Sequence, residues 1–332
     1  MRVRAALIAA LLVLLTAFSA PPAAAAETRG MWVWGGRALI ADTAAQTALV
    51  EAAGPAGVTD LYLYLPAGAY RTERPKLRAF VRRMRANGIA VWGLDGCRYY
   101  FRDADGPSAL FATVDAMIAY NAAVEPKARF VGFQTDNEPH DLDGYPPTLH
   151  NGKANSELSR TGGGVWQATE ALDREMLLRD WIRTQRAVTK RLKRAGLKAG
   201  AAMIFYTEDY RGEPLSVTFE GRTTSVGRHL MRFLDEYVVM SYNTNPANAA
   251  GRLAAQAAYA STLPAGERPR VLGAVETVTG VGARVSFGDT RGLRSKAIVL
   301  KRMEAMAKRL RRHAAFGGIS IHSWEGWRAL PD

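Results

Sequence analysis

Residues 130–139 read Phe-Val-Gly-Phe-Gln-Thr-Asp-Asn-Glu-Pro, an apolar strand start that ends in two carboxylates, Asp136 and Glu138. Side chains alternate across a strand, so Gln134, Asp136 and Glu138 are expected on one face. Two acids side by side are costly to bury unless they are paired, hydrogen-bonded or protonated. A chain that keeps such a pair at a strand end can use it to move protons. The plainer reading is an Asp-Asn-Glu-Pro turn that caps the next helix and stays solvated.

The elements that would position this pair recur along the chain. Strands are expected at 30–34, 60–65, 89–94, 129–134, 198–205, 237–242, 270–275 and 318–322, several of them nearly continuous apolar runs. Such runs suit parallel strands buried on both faces. Helical spacing lies between them: Leu77, Phe80, Val81 and Met84 fall at i, i+3, i+4 and i+7 within 75–87, before an Asn87-Gly88 stop. Segment 170–195 carries Met176, Leu177, Trp181 and Val188 on one side, and 290–313 carries Ile298, Met303, Met306 and Leu310.

Eight strands alternating with seven helices point to a single-domain (β/α)8 TIM barrel over 27–332, with its eighth helix short or absent. An open doubly wound sheet is the alternative. It lacks support because Gly35-Gly36 after the first strand is no phosphate-binding turn. The long irregular stretch from His140 to Trp166 follows the fourth strand and is expected to wall a cleft.

In such barrels the site lies at the C-terminal strand ends. Those ends carry Trp34, Tyr64, Asp95, Asp136, Glu138, Tyr206, Glu208, Asp209, Tyr242, Glu276 and Trp324. Aromatic platforms beside paired acids suit a sugar, whose apolar ring faces stack on indole and phenol, although any single Trp can equally be core packing. Asp95, Asp136, Glu138, Glu208, Glu276 and His322 could instead ligate a metal. The five histidines form no His-x-His or His-Glu-x-x-His arrangement, so neither a resident metal nor a cofactor is expected. A Gly-x-Ser-x-Gly elbow is also absent.

Two resemblances attach to these residues. Gly132-Phe-Gln-Thr-Asp136-Asn-Glu138 resembles the fourth-strand signature of the chitinase-like family 18 glycoside hydrolases, with Gln134 in place of the first acid. Met240-Ser241-Tyr242-Asn243 is similar to that family's sixth-strand motif, with Asn243 where an acid is usual, and Trp324 matches its eighth-strand tryptophan. The resemblance implies Glu138 as general acid, Asp136 orienting a 2-acetamido group that itself attacks the anomeric carbon, and Tyr242 supporting the intermediate. Asn137-Glu138-Pro139 with Glu276 on the seventh strand resembles the clan A retaining glycosidases instead, although the second-strand Arg of that clan is missing. That resemblance implies Glu138 as acid/base and Glu276 as covalent nucleophile. Glu138 is common to both, and either route needs it protonated near neutral pH. The amides Gln134 and Asn243, where acids would be usual, motivate a different reading, a barrel that binds glycan without cleaving it. A metal-dependent hydrolase or deacetylase is the third.

The N-terminus places the chain outside the cytoplasm. Arg2 and Arg4 precede an apolar run from Ala5 to about Ala20, followed by Pro21-Pro22 and Ala23 to Ala26. That is the pattern of a cleaved signal peptide spanning 1–26, so a secreted or extracytoplasmic protein without lasting membrane insertion is expected. With Cys97 as its only cysteine the fold has no internal disulfide and must rest on its core. The net charge of +13 gathers in runs such as Arg71–Arg85, Lys190–Lys198 and Lys301–Arg312. These runs read first as solvated helix faces, and beyond that as attraction for anionic cell-wall polymers. No nucleic-acid-binding motif accompanies them. The expected partner is a poly- or oligosaccharide, taken up by a monomer.

Overall fold

A computed structural model of the chain describes residues 27–97, 100, 106–141, 171–210 and 212–332. The expected leader and most of the His140–Trp166 stretch lie outside the described residues.

In chain order the strands are β1 (Gly30–Val33), β2 (Asp60–Tyr64), β3 (Ala90–Asp95), β4 (Gly132–Thr135), β5 (Lys198–Ile204), β6 (Asp209–Tyr210), β7 (Glu213–Pro214), β8 (Ser216–Phe219), β9 (Arg222–Ser225), β10 (Glu236–Met240), β11 (Arg270–Glu276) and β12 (Phe316–His322). Pairs β6–β7 and β8–β9 are small antiparallel hairpins. The other eight strands are parallel and close into a barrel, with β12 returning to β1 through the Met31–Ile321 pair and the Thr28–Gly318 bridge. This is the expected (β/α)8 barrel. The short eighth helix is also there, Trp324–Arg328.

The helices follow the apolar spacing. Leu77, Phe80, Val81 and Met84 of the helix Arg74–Ala86 are fully buried, each contributing about 2 kcal/mol by the area removed from water, while its Arg and Lys residues face out. Ends are capped as their residue types allow. Asp42 accepts from the Ala44 and Ala45 N–H groups, Asn245 from those of Ala247 and Asn248, and Ser295 from that of Ile298.

Strand parity sorts the remaining side chains. Met31, Val33, Leu61, Leu63 and Val91 point under the helices, whereas Trp32, Tyr62, Trp92, Leu94, Val238 and Leu272 fill the barrel interior. The large rings fit because small residues stand beside them. A Cβ on Gly30 or Gly132 would come within 2.5 Å of the Tyr62 or Trp92 ring. Trp34, Tyr64 and Tyr242 pack against this interior cluster.

At the N-terminal end of the barrel the interior is polar. Glu236, fully buried, accepts from the Tyr62 hydroxyl at 2.7 Å, from Arg270 at 2.7 Å and from the Gln134 amide at 3.4 Å. Trp92 donates to Asp60 at 2.7 Å. Burial pushes the Glu236 carboxyl up, and Arg270 pulls it back.

The hairpins β6–β9 were not expected from the sequence. They stand where a long helix would follow β5, and only the short helix Val226–Met231 precedes β10. Arg270→Met should therefore destabilise the barrel by about 3 kcal/mol in urea unfolding at neutral pH, because it leaves a buried carboxylate without its cation. The loss should shrink as pH falls through the raised Glu236 pKa, where the neutral acid needs no partner. Unchanged stability at neutral pH would show that the network holds no charge.

Candidate active site

The C-terminal strand ends surround a cleft of about 500 Å³ lined by Trp34, Gly96, Cys97, Asp136, Glu138, Met240, Tyr242, Glu276, Val281, Val285 and His322. Parity places most of them: Asp136 follows Gln134 on the inward face of β4, Tyr242 continues Val238 and Met240 from β10, and Glu276 and His322 end the inward rows of β11 and β12. Gly96 allows the close approach of two strands. A Cβ there would meet the Asp136 carbonyl oxygen at 2.0 Å, and the Asp136 N–H donates to the Asp95 carbonyl at 3.0 Å.

One relay crosses the cleft floor. The Trp34 indole N–H donates to His322 Nε2 at 2.8 Å, and His322 Nδ1 lies 2.8 Å from Glu276 Oε2. An indole nitrogen can only donate, so Nε2 is the acceptor and the imidazole proton sits on Nδ1, directed at Glu276. Glu276 Oε1 accepts from the Thr277 and Val278 N–H groups, both at 2.7 Å. Three donors thus converge on one buried carboxyl group. Burial lowers the His322 pKa, and the Glu276 hydrogen bond and nearby carboxylates raise it by more, whereas the Trp34 N–H at Nε2 favours the neutral ring seen in this arrangement.

Asp136 has the opposite surroundings. Its carboxyl is pushed up to about 6 by burial, with His322 pulling the other way, and its Oδ1 is buried with no hydrogen-bond partner. Tyr242 is raised well above its usual value by burial and then by Glu276, Asp136 and Glu138, so its hydroxyl remains a donor. Glu138 is half-buried, and its Oε1 lies 3.8 Å from His140 Nε2. Behind the cleft mouth, the Asp289 carboxylate accepts the N–H groups of Gly280, Val281 and Gly282 at 2.9, 2.8 and 2.7 Å. Those bonds hold its pKa down and fix the loop that presents Val281, 49% exposed. Gly280 and Gly282 take φ values of 92° and 109°, open to glycine alone at low cost.

The structure brings Asp136, Glu138, Tyr242, Glu276 and Trp34 together and places the other expected residues elsewhere. Tyr64 stands beside Trp34, ring centroids 5.8 Å apart. Gln134 lies deeper, on Glu236. Asp95 is one residue off the inward row and accepts from Tyr100 at 2.9 Å on the helix side of β3. Asn137 is buried, with neither amide atom hydrogen-bonded. Tyr206 stacks edge-on against His140 at 5.6 Å, and Glu208 pairs with Arg228 at 2.8 Å. Asn243 Oδ1 accepts the Asn245 N–H in a local turn. Trp324 opens the last helix, 5% exposed in the core, and lines a separate cavity with Gly35, Asp42 and Arg328.

His322 is the residue that sequence reading considered only as a metal ligand. Its signal was the alternation Gly318-Ile-Ser-Ile-His322, which puts Gly318, Ser320 and His322 on the inward face. Cys97, Met240, Val281 and Val285 also line the cleft without having been expected there. Among the described residues no group of three or more His, Cys, Asp or Glu is arranged to hold a metal ion, and no helix is long and apolar enough to cross a membrane.

No protein-family model matches the chain, and no curated protein matches it. Among solved structures it is similar to a chitinase from Chromobacterium violaceum, at 12% identity, over 92% of this chain and 96% of that one, with a TM-score of 0.48. A chitinase from Bacteroides thetaiotaomicron is similar at 8% identity, over 90% of each chain, with a TM-score of 0.47. A sugar phosphate isomerase/epimerase from Parabacteroides distasonis is similar at 11% identity, over 91% of this chain and 88% of that one, with a TM-score of 0.42. Likeness of this degree carries no argument about chemistry, and the barrel stands on its own strand order.

Asp136→Asn should stabilise the fold at pH 7 on the order of 2 kcal/mol, since it removes a charge that burial disfavours. An acid with a raised folded pKa loses its stabilising contribution as pH rises from the unfolded value through the folded one. The gap between variant and wild type in thermal unfolding should therefore open across pH 4 to about 6 and vanish below it. A gap that is the same at pH 3 and pH 7 would sink this account.

Proposed function

We propose that the chain is a glycoside hydrolase acting on a polysaccharide or cell-wall glycan, with Glu138 as its general acid. The observation that carries this reading is the cleft in which Asp136, Glu138, Tyr242 and Glu276 meet beside the Trp34 indole. A half-buried acid beside an aromatic wall can give a proton to a glycosidic oxygen as the C–O bond breaks.

The surroundings of the two partner acids favour the substrate-assisted route. The Glu276 oxygens are already engaged by Thr277, Val278 and His322, whereas Asp136 Oδ1 has no partner and is available to accept an acetamide N–H. The acetamide oxygen then attacks the anomeric carbon as Glu138 protonates the leaving oxygen. Water opens the resulting oxazolinium and returns its proton to Glu138, and the Tyr242 hydroxyl donates to the intermediate. Glu276 with His322 then serves to fix the floor of the cleft. A second reading rests on His322, whose proton aims at Glu276 as a donor that would orient a covalent nucleophile. Residues 1–26 act as an export signal in this proposal, the chain works as an extracytoplasmic monomer, and no cofactor takes part.

Glu138→Gln should lower hydrolysis of a chitin oligosaccharide by at least about a thousandfold while leaving binding intact. A variant that keeps its turnover would remove Glu138 from the mechanism, and a wild type that binds glycans but releases no reducing ends would make the barrel a binding protein. Asp136 must be ionised to accept the acetamide N–H, so kcat/KM should rise with pH through an acid limb near 6 before loss of the Glu138 proton lowers it again. A flat profile from pH 5 to 7 would count against that role. Azide rescue of Glu276→Ala would transfer the mechanism to the covalent route.

A further inference from the structure

A second large concavity belongs to another part of the fold. A groove of about 780 Å³ runs along the helix Ala171–Arg194, with the β8–β9 hairpin and Phe233 as its other wall. The helix contributes Arg179, Arg183, Arg186, Lys190 and Lys193, spaced by three or four residues, so they form one row about 21 Å long at 1.5 Å per residue. Phe219 and Phe233, both half-buried, supply apolar patches between the charges.

Thr189 is what separates this groove from an ordinary solvated helix face. It is 3% exposed, it lines the groove, and its hydroxyl has no hydrogen-bond partner. Such a group costs about 1–3 kcal/mol unless a ligand or water satisfies it. The hairpin wall is also held in place. Arg179 Nε donates to the Thr218 carbonyl at 3.1 Å, Arg186 pairs with Glu220, and its guanidinium lies 5.9 Å from the Phe219 ring centroid. Glu220 takes φ 50°, a left-handed conformation uncommon for a side-chain-bearing residue, and the Arg186 pair restrains it there.

The acids nearby do not consume the row. Glu175, Asp180 and Asp235 reach Arg179, Arg183 and Lys193 at 2.7, 3.0 and 3.8 Å, and Glu220 reaches Arg186, each pair through a single nitrogen. An arginine has five N–H donors, so a one-point pair leaves most of the fork free for another anion. Lys190 has no ion pair among the described residues.

We infer that this groove binds a linear anionic polysaccharide, one bearing carboxylate or phosphate groups, and anchors the protein to it at a distance from the cleft. A row of cations interrupted by phenyl rings suits a chain that alternates charges with apolar sugar faces. The choice of a glycan over other polyanions rests on the glycosidase reading, whereas the groove itself does not.

The test uses the chain carrying Glu138→Gln, so that binding is read without turnover. Its affinity for polygalacturonate, for a glycerol-phosphate polymer, for a neutral β-glucan and for duplex DNA is measured at two salt concentrations. The inference expects salt-sensitive binding to one or both anionic glycans, the one bound tighter identifying the anion. Adding Arg183→Glu and Lys190→Glu should weaken it at least about tenfold, and Thr189→Val should weaken it less. Hydrolysis of a short neutral oligosaccharide by the same groove variants, with Glu138 intact, should stay at its wild-type level. Lys190→Glu alone asks the same question should the double variant misfold. Equal affinity with and without the charge reversals, or tighter binding to DNA than to either anionic glycan, would overturn it. Loss of hydrolysis in Glu138→Gln bears only on the cleft, and loss of polyanion binding in the reversals bears only on the groove.

Discussion

Closure of eight parallel strands leaves the barrel no free edge and no latitude in register, and every functional position follows from that. A slip of one residue in any strand would turn its inward row outward. The inward rows of this chain descend in three zones. Carboxylates, His322 and Tyr242 stand at the C-terminal mouth, Trp32, Tyr62 and Trp92 fill the middle, and Glu236, Asp60 and Arg270 occupy the opposite end. The aromatic middle is what makes the mouth chemically useful. It is fully buried, so the acids above it are poised by their few polar neighbours more than by bulk water.

The two inner carboxyl groups at the mouth show how differently one cleft can treat the same functional group. Glu276 sits among three N–H donors and is a fixed acceptor. Asp136, at the end of β4 across the cleft, has burial that His322 offsets only in part, and its proton affinity rises accordingly. A buried acceptor without a donor costs stability unless water or an incoming group satisfies it.

Much of this was legible in the sequence because period and parity are local properties. Alternation put Gln134, Asp136 and Glu138 on one face, and the apolar runs located all eight barrel strands within a few residues. The same rule applied more strictly would have set Asp95 aside, since Trp92, Leu94 and Gly96 own the inward row of β3, and would have ended the last strand at His322 rather than looking to Trp324. Other features had a weak local signal or none. The β8–β9 turn is made by Glu220 and Gly221 at φ 50° and 75°; the glycine suits such a turn, but Glu rarely takes its first position, so the signal was weaker than an Asn-Gly pair would give. The Glu276–His322 bond joins residues 46 apart that share no motif, and only the pairing of β11 with β12 reveals it.

Trp34 and His322 are 288 residues apart, on strands that meet where the two ends of the barrel join. Such a long-range contact carries a large loop-closure entropy. Until β12 pairs with β11 and β1, Glu276 lacks its His322 donor and Trp34 lacks its acceptor. The cleft floor is therefore a completion signal. A misclosed barrel, even one whose β4 acids are already folded, has an unfixed cleft floor until the last strand has docked.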